Sequence, residues 1–124
     1  MQTKFAKIAG WILTFLLSFL FIMSAYLKLS QNETAIAQAE YFGINAKTYL
    51  LIGIVEMVSL ILFIIPRTGV LGTLMLAAYL GGAIATHLQH QQPIVIPVLT
   101  QTLLWVTAVI RFPEVKYRLM RSML

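Results

Sequence analysis

Long apolar stretches separated by short polar ones organise this chain. Four apolar segments run at residues 8–27, 48–65, 68–88 and 94–110, each near the ~20 residues that cross ~30 Å of hydrocarbon as a helix. All four prolines, Pro66, Pro93, Pro97 and Pro113, fall at or just inside segment boundaries, where a fixed φ and a missing N–H disturb a helix least. Between the first two segments, Ser30-Gln31-Asn32-Glu33 has capping-box spacing, and Ile36, Ala37, Ala39 and Glu40 continue a helical pattern that ends at Gly43. This predicts a short helix on the outer surface, with Tyr26, Tyr41, Phe42 and Tyr49 in a belt at headgroup level. After Pro113, Val115, Leu119 and Met123 recur at four-residue spacing among Lys116, Arg118 and Arg121, the pattern of an amphipathic tail at the inner surface. The predicted fold class is all-α: an integral membrane four-helix bundle with a short outer-surface helix between helices 1 and 2 and an amphipathic C-terminal tail, one domain over residues 1–124.

Composition sharpens this picture mainly by exclusion. Of the 124 residues 60% are hydrophobic and 10% charged, against roughly 25% charged in soluble domains. The core must therefore form between helices in lipid. The absence of cysteine removes disulfides, thiolate nucleophiles and Cys-x-x-Cys redox pairs, so any redox role borrows its electron carrier and catalysis by the chain alone is not expected. The net charge of +5 does not point to nucleic acid, because the basic residues sit at segment ends without interleaved aromatics. Lipid headgroups are the expected partner. If all four segments span, Lys4, Lys7, Arg67, Arg111, Lys116, Arg118 and Arg121 share one side and only Lys28 and Lys47 the other. The positive-inside rule then puts both termini in the cytoplasm, as in a bacterial inner (plasma) membrane protein. A cleaved signal peptide is disfavoured, since the first apolar stretch is too long and Met23-Ser24-Ala25 lacks a small residue at its first position.

The candidate chemistry centres on Glu56, the one formal charge inside an apolar segment. A charge at bilayer depth is costly, so such residues face a protein interior or a wet cavity. Glu56 is expected to be a neutral, hydrogen-bond-donating acid unless Lys28 or His87 reaches it. Counting depth along antiparallel helices puts Tyr79 level with Glu56 and His87 nearer the outer surface, with Gln101 and Ser24 between or beside them. These residues, with Lys28, form a candidate polar cavity for a ligand; an interhelical hydrogen-bond network is the alternative. His87 and His90 do not make a His-Glu-x-x-His site, no metal is expected, and His90 reads as a solvated loop residue. Ala77, Gly81 and Ala85, with Ala78 and Gly82 alongside, make a small-residue stripe for close helix packing. Use of that stripe inside the chain is favoured over use against a second subunit.

The residues Lys28-Leu29, Gly53-Ile54-Val55-Glu56, Pro66-Arg67-Thr68, Leu80-Gly81-Gly82-Ala83-Ile84-Ala85-Thr86-His87 and Arg111-Phe112-Pro113 resemble the DoxX-like family of small four-helix membrane proteins. The resemblance implies a polar site at Glu56 and His87, with Lys28 at the outer end of the first helix. Namesake members resemble subunits of a quinone-linked oxidoreductase that passes electrons from thiosulfate to quinone, and more distant relatives help membrane receptors assemble. Three expectations follow: a quinone- or lipid-binding subunit of a redox complex with no covalent cofactor, working with a partner subunit or as a homodimer; a non-enzymatic scaffold or assembly factor for another membrane protein; and, more weakly, a small-molecule transporter using Glu56 as proton carrier.

Overall fold

The computed structural model describes residues 3–121, and all of its regular structure is helical. Six α-helices follow in order: α1 Lys4–Ser30, α2 Glu33–Tyr41, α3 Ala46–Ile64, α4 Gly69–Gln89, α5 Val95–Arg111 and α6 Pro113–Arg121, with a 3-10 turn at Pro66–Thr68. The four long helices form a closed bundle in which α1 touches α3 and α5, and α4 touches the same two from the opposite corner. This is the all-α membrane bundle that the hydropathy predicts. Three helical stretches, Lys4–Ser30, Ala46–Ile64 and Pro66–Gln89, are long and apolar enough to cross a membrane. The 17-residue α5 covers about 25 Å, yet it is packed as intimately as the others, and a 106° bend separates it from α6.

The buried face of α1 reads Gly10, Thr14, Leu17, Phe21, Ala25, Lys28, the three-and-four spacing of a bundle seam. Its opposite face leaves Phe15, Phe19 and Met23 exposed, as a lipid-facing surface should. Leu17, Phe21, Leu60, Phe63, Leu76, Leu80, Leu104, Ala108 and Phe112 form one core along the bundle axis. α3 and α4 approach closely at Gly72, where a Cβ would stand 2.2 Å from the Phe63 backbone nitrogen. Only glycine fits there.

Both predicted accessory helices form. α2 starts two residues later than the capping box suggests: Ser30 ends α1, Gln31 turns left-handed at φ 51°, and Asn32 caps α2 by accepting from the Ala35 N–H. At its other end the Gly43 N–H bonds to Glu40 and the Ile44 N–H to Ala39, with Gly43 at φ 69°, the Schellman arrangement that glycine favours. Tyr26 and Tyr41 are exposed, but Tyr49 is buried against Ala35 and Ala39 of α2 and donates to Gln38 Oε1 at 2.9 Å. It anchors the surface helix instead of joining an aromatic belt. In α6, Val115 packs on the core while Lys116, Arg118 and Arg121 stay exposed; Met123 of the predicted tail lies outside the described residues.

Candidate functional site

Lys28 and Glu56 meet because their side chains lean toward each other. Helical side chains project toward their own N-terminus, and α1 and α3 run in opposite directions. Lys28, near the end of α1, therefore reaches back one turn into the bundle, and Glu56 reaches up toward it. Nζ lies 3.2 Å from Glu56 Oε1. Gly53 makes the approach possible, since a Cβ there would stand 2.7 Å from Lys28 Cβ. The exception stated with the expectation of a neutral acid is met, because Lys28 reaches Glu56 at ion-pair distance.

The hydrogen bonds around this pair nearly close. Lys28 Nζ donates to Ser24 Oγ at 2.7 Å, to Glu56 Oε1 at 3.2 Å and to the Ser24 carbonyl at 3.4 Å, which occupies all three ammonium protons. Ser24 Oγ in turn donates to Oε1 at 3.3 Å. The ammonium also faces the Tyr49 and Tyr79 rings, 5.5 and 5.6 Å from their centroids. Glu56 is wholly buried, and its second oxygen, Oε2, has no hydrogen-bond partner among the described residues. The Tyr79 hydroxyl interacts electrostatically with Lys28 and Glu56 without making a well-formed bond to Oε2. The buried hydroxyls elsewhere behave differently: Thr14, Ser59, Thr73 and Thr107 each donate to the carbonyl four residues back. A buried acceptor without a partner costs about 1 to 3 kcal/mol, more if charged, and Oε2 is the one buried side-chain polar atom left in that state among the described residues.

Ser24, Lys28, Glu56 and Tyr79 are thus brought together, and His87 and Gln101 are not. Gln101 bridges α5 to α4 through the Ala77 carbonyl at 3.2 Å and accepts from Trp105 Nε1 at 3.1 Å. His87 Nδ1 is 2.6 Å from the Ala83 carbonyl, and its ring packs on Phe42 at 5.3 Å. His90 lies in the turn that caps α4, as expected, but is only partly solvated: Nδ1 sits 2.9 Å from the Thr86 carbonyl and the ring lies edge-on to Phe42. The two histidines hold the end of α4 to the end of α2. Among the described residues no three metal-ligating side chains cluster. The small-residue stripe also divides. Ala77 packs on the core, whereas Ala78, Gly81, Gly82 and Ala85 are exposed, and a Cβ on either glycine would meet nothing within 4 Å. Internal close packing falls instead to Gly10, Gly53, Gly69 and Gly72.

Sequence reasoning took Arg111 only as a topological charge. Its guanidinium donates to the Phe63 and Ile64 carbonyls at 2.8 and 3.0 Å and to Thr14 Oγ1 at 3.4 Å, between the rings of Trp11, Phe63 and Phe112. Its acceptors are the last carbonyls of α3, which lack intrahelical partners. A surface groove of about 500 Å³ lined by Lys7, Ile8, Trp11, Ile12, Phe15 and Leu16 runs along the outward face of α1, away from Glu56.

No curated protein and no solved structure matches the chain. The DoxX-like family model does, over residues 12–110, which takes in Ser24, Lys28, Glu56, Tyr79 and most of each of the four long helices, and the chain belongs to that family.

Proposed function

We propose that this membrane protein binds a quinone-type or similar head-and-tail lipid molecule, with the polar head at Glu56 and the tail between the helices. The observation that carries the reading is the buried, unpartnered Oε2 beside Lys28, Ser24 and Tyr79. Polar groups converging inside apolar walls suit such a ligand. Access runs beneath α2, which covers Lys28 across a cleft lined by Gln31, Ala35, Ile36, Ala46 and Tyr49 that is too narrow for a water molecule. The left-handed residues Gln31 and Gly43 flank α2 and are the natural pivots for its displacement. In this reading the chain is a ligand-holding subunit of a membrane redox complex, with electrons carried by a partner.

Mass spectrometry of an organic extract of protein purified in mild detergent tests this directly. A retained quinone or lipid is expected, and an added short-chain quinone or its reduced form should raise the melting temperature, as native-state ligands do. The double variant Lys28→Met/Glu56→Leu should lose that shift. An empty extract with no shift from quinones, quinols or lipids would remove the reading. The exposed stripe of Ala78, Gly81, Gly82 and Ala85 favours a second one, in which the protein holds a partner's membrane helix as an assembly factor.

The bacterial inner membrane, with both termini cytoplasmic, is the location we propose on the seven-to-two split of basic residues. A cysteine introduced at Glu40 should react with an impermeant thiol reagent in intact cells and one at Glu114 should not. The reverse pattern would invert the orientation.

A further inference from the structure

We infer that the ligand of the Glu56 site is a hydrogen-bond donor, namely the hydroxyl-bearing, reduced form of a quinone-type molecule in preference to the oxidised carbonyl form. This rests on the ligand-binding reading above and adds to it a chemical polarity. The three ammonium protons of Lys28 are taken by the Ser24 carbonyl, Ser24 Oγ and Glu56 Oε1, and the Ser24 hydroxyl proton by Oε1 as well. What the cluster leaves over is an acceptor, the buried Oε2. A quinone carbonyl brings only lone pairs to that place. It can take the Tyr79 hydroxyl proton, but beside a carboxylate oxygen in a low-dielectric interior it is repelled and leaves Oε2 unpaired. A quinol hydroxyl donates to Oε2 in a charge-assisted bond, and its oxygen can accept from the Tyr79 hydroxyl, which adjoins both Lys28 and Glu56. Sites with a buried polar group shaped for a hydroxyl reject analogues that lack it far more strongly than apolar pockets reject a missing methylene.

The test compares three ligands of one shape on the wild-type protein in mild detergent. These are a short-chain benzoquinone, its quinol kept reduced by dithionite under argon, and the dimethyl ether of that quinol, which has ring and tail but no O–H. With no cysteine in the chain, the reductant has no thiol or disulfide to alter. The quinol should bind at least about tenfold more tightly than the quinone, a difference of about 1.4 kcal/mol, and the ether no more tightly than the quinone. Equal affinity, or tighter binding of the quinone or the ether, would overturn the donor inference and leave the ligand-binding reading standing. Binding of none of the three would remove that reading itself. Glu56→Gln gives a second readout, because its amide can present an N–H where Oε2 now stands: the preference for quinol should fall below about threefold or reverse. A preference undiminished in Glu56→Gln would also overturn the inference.

Discussion

Two cations enter the interior of this bundle from opposite ends, and their surroundings differ in one respect. Arg111, beside the α3 terminus, gives its protons to the Phe63 and Ile64 carbonyls and to Thr14, and its faces to Trp11, Phe63 and Phe112. Those carbonyls are the unpaired acceptors and the negative end of the α3 dipole, so the clamp completes a helix that would otherwise end unsatisfied. Lys28, beneath α2, gives its protons to Ser24 and Glu56, yet its partner keeps an oxygen with no donor. A closed set of bonds explains itself by the fold. An open one, in a protein whose other buried hydroxyls are locally satisfied, is what the proposed ligand would complete.

The contrast predicts unequal responses to substitution. Arg111→Leu should have the largest effect, about 3 to 5 kcal/mol of lost stability, because two backbone carbonyls at the α3 terminus lose their donor and cannot be mutated away. Arg111→Lys should recover only part, since an ammonium cannot fork between two carbonyls and stack on rings. Thermal unfolding in detergent, with the level of protein in the membrane, measures both. A fully stable Arg111→Leu would show that the clamp is not structural.

The Lys28–Glu56 pair should behave in the opposite way. Either Lys28→Met or Glu56→Leu alone strands the remaining charge and should cost about 2 to 3 kcal/mol. That is less than the ~3 to 5 of a fully buried pair, because Lys28 lies near a helix end and a lone carboxyl can take up a proton. The double variant Lys28→Met/Glu56→Leu should return to within ~1 kcal/mol of the parent, since apolar replacement of a buried pair is often neutral or stabilising. It should nevertheless lose the ligand-dependent thermal shift. If the double variant were as unstable as Arg111→Leu, both clusters would be structural and the comparison would collapse.

How far each cluster could be read from the sequence follows from the same geometry. The four long helices, the surface helix and the C-terminal helix are periodic features punctuated by Pro and Gly, and they were legible to within a few residues. Glu56 stood out because a charge in an apolar run has no bland location. Lys28 was harder: it shares the buried register of Leu17, Phe21 and Ala25, but depth counted from Cα positions ignores that the two side chains lean toward each other by several ångströms. The stripe from Ala77 to Ala85 misled for a related reason. Small residues permit close packing from whichever side a neighbour arrives, and the neighbours of α4 lie over Gly72 and Gly69. Arg111 could not be separated from the other basic residues at helix ends, because its partners are backbone carbonyls that carry no sequence signal.

The smallest predicted effects come from the glycines beside each cation. A Cβ on Gly10 would approach Arg111 Cγ to 2.8 Å, and one on Gly53 would approach Lys28 Cβ to 2.7 Å, so the two crowdings are nearly equal in distance. They differ in what can yield. Arg111 Cγ can move only by disturbing the clamp at the α3 terminus, whereas Lys28 Cβ is fixed to the α1 backbone and moves only if α1 and α3 separate. Alanine also gains about 0.8 to 1.0 kcal/mol over glycine in a helix, which offsets modest crowding. Gly10→Ala and Gly53→Ala should therefore each lose a net ~1 kcal/mol, the overpacking penalty of about 1 to 3 less the propensity gain. Separation of α1 from α3 would also lengthen the 3.2 Å Lys28–Glu56 contact, so Gly53→Ala should weaken quinol binding while Gly10→Ala leaves it unchanged. Melting temperatures with and without quinol read both effects in one experiment. Ligand binding intact in both variants would mean that the α1–α3 approach at Gly53 does not set the geometry of the Glu56 site.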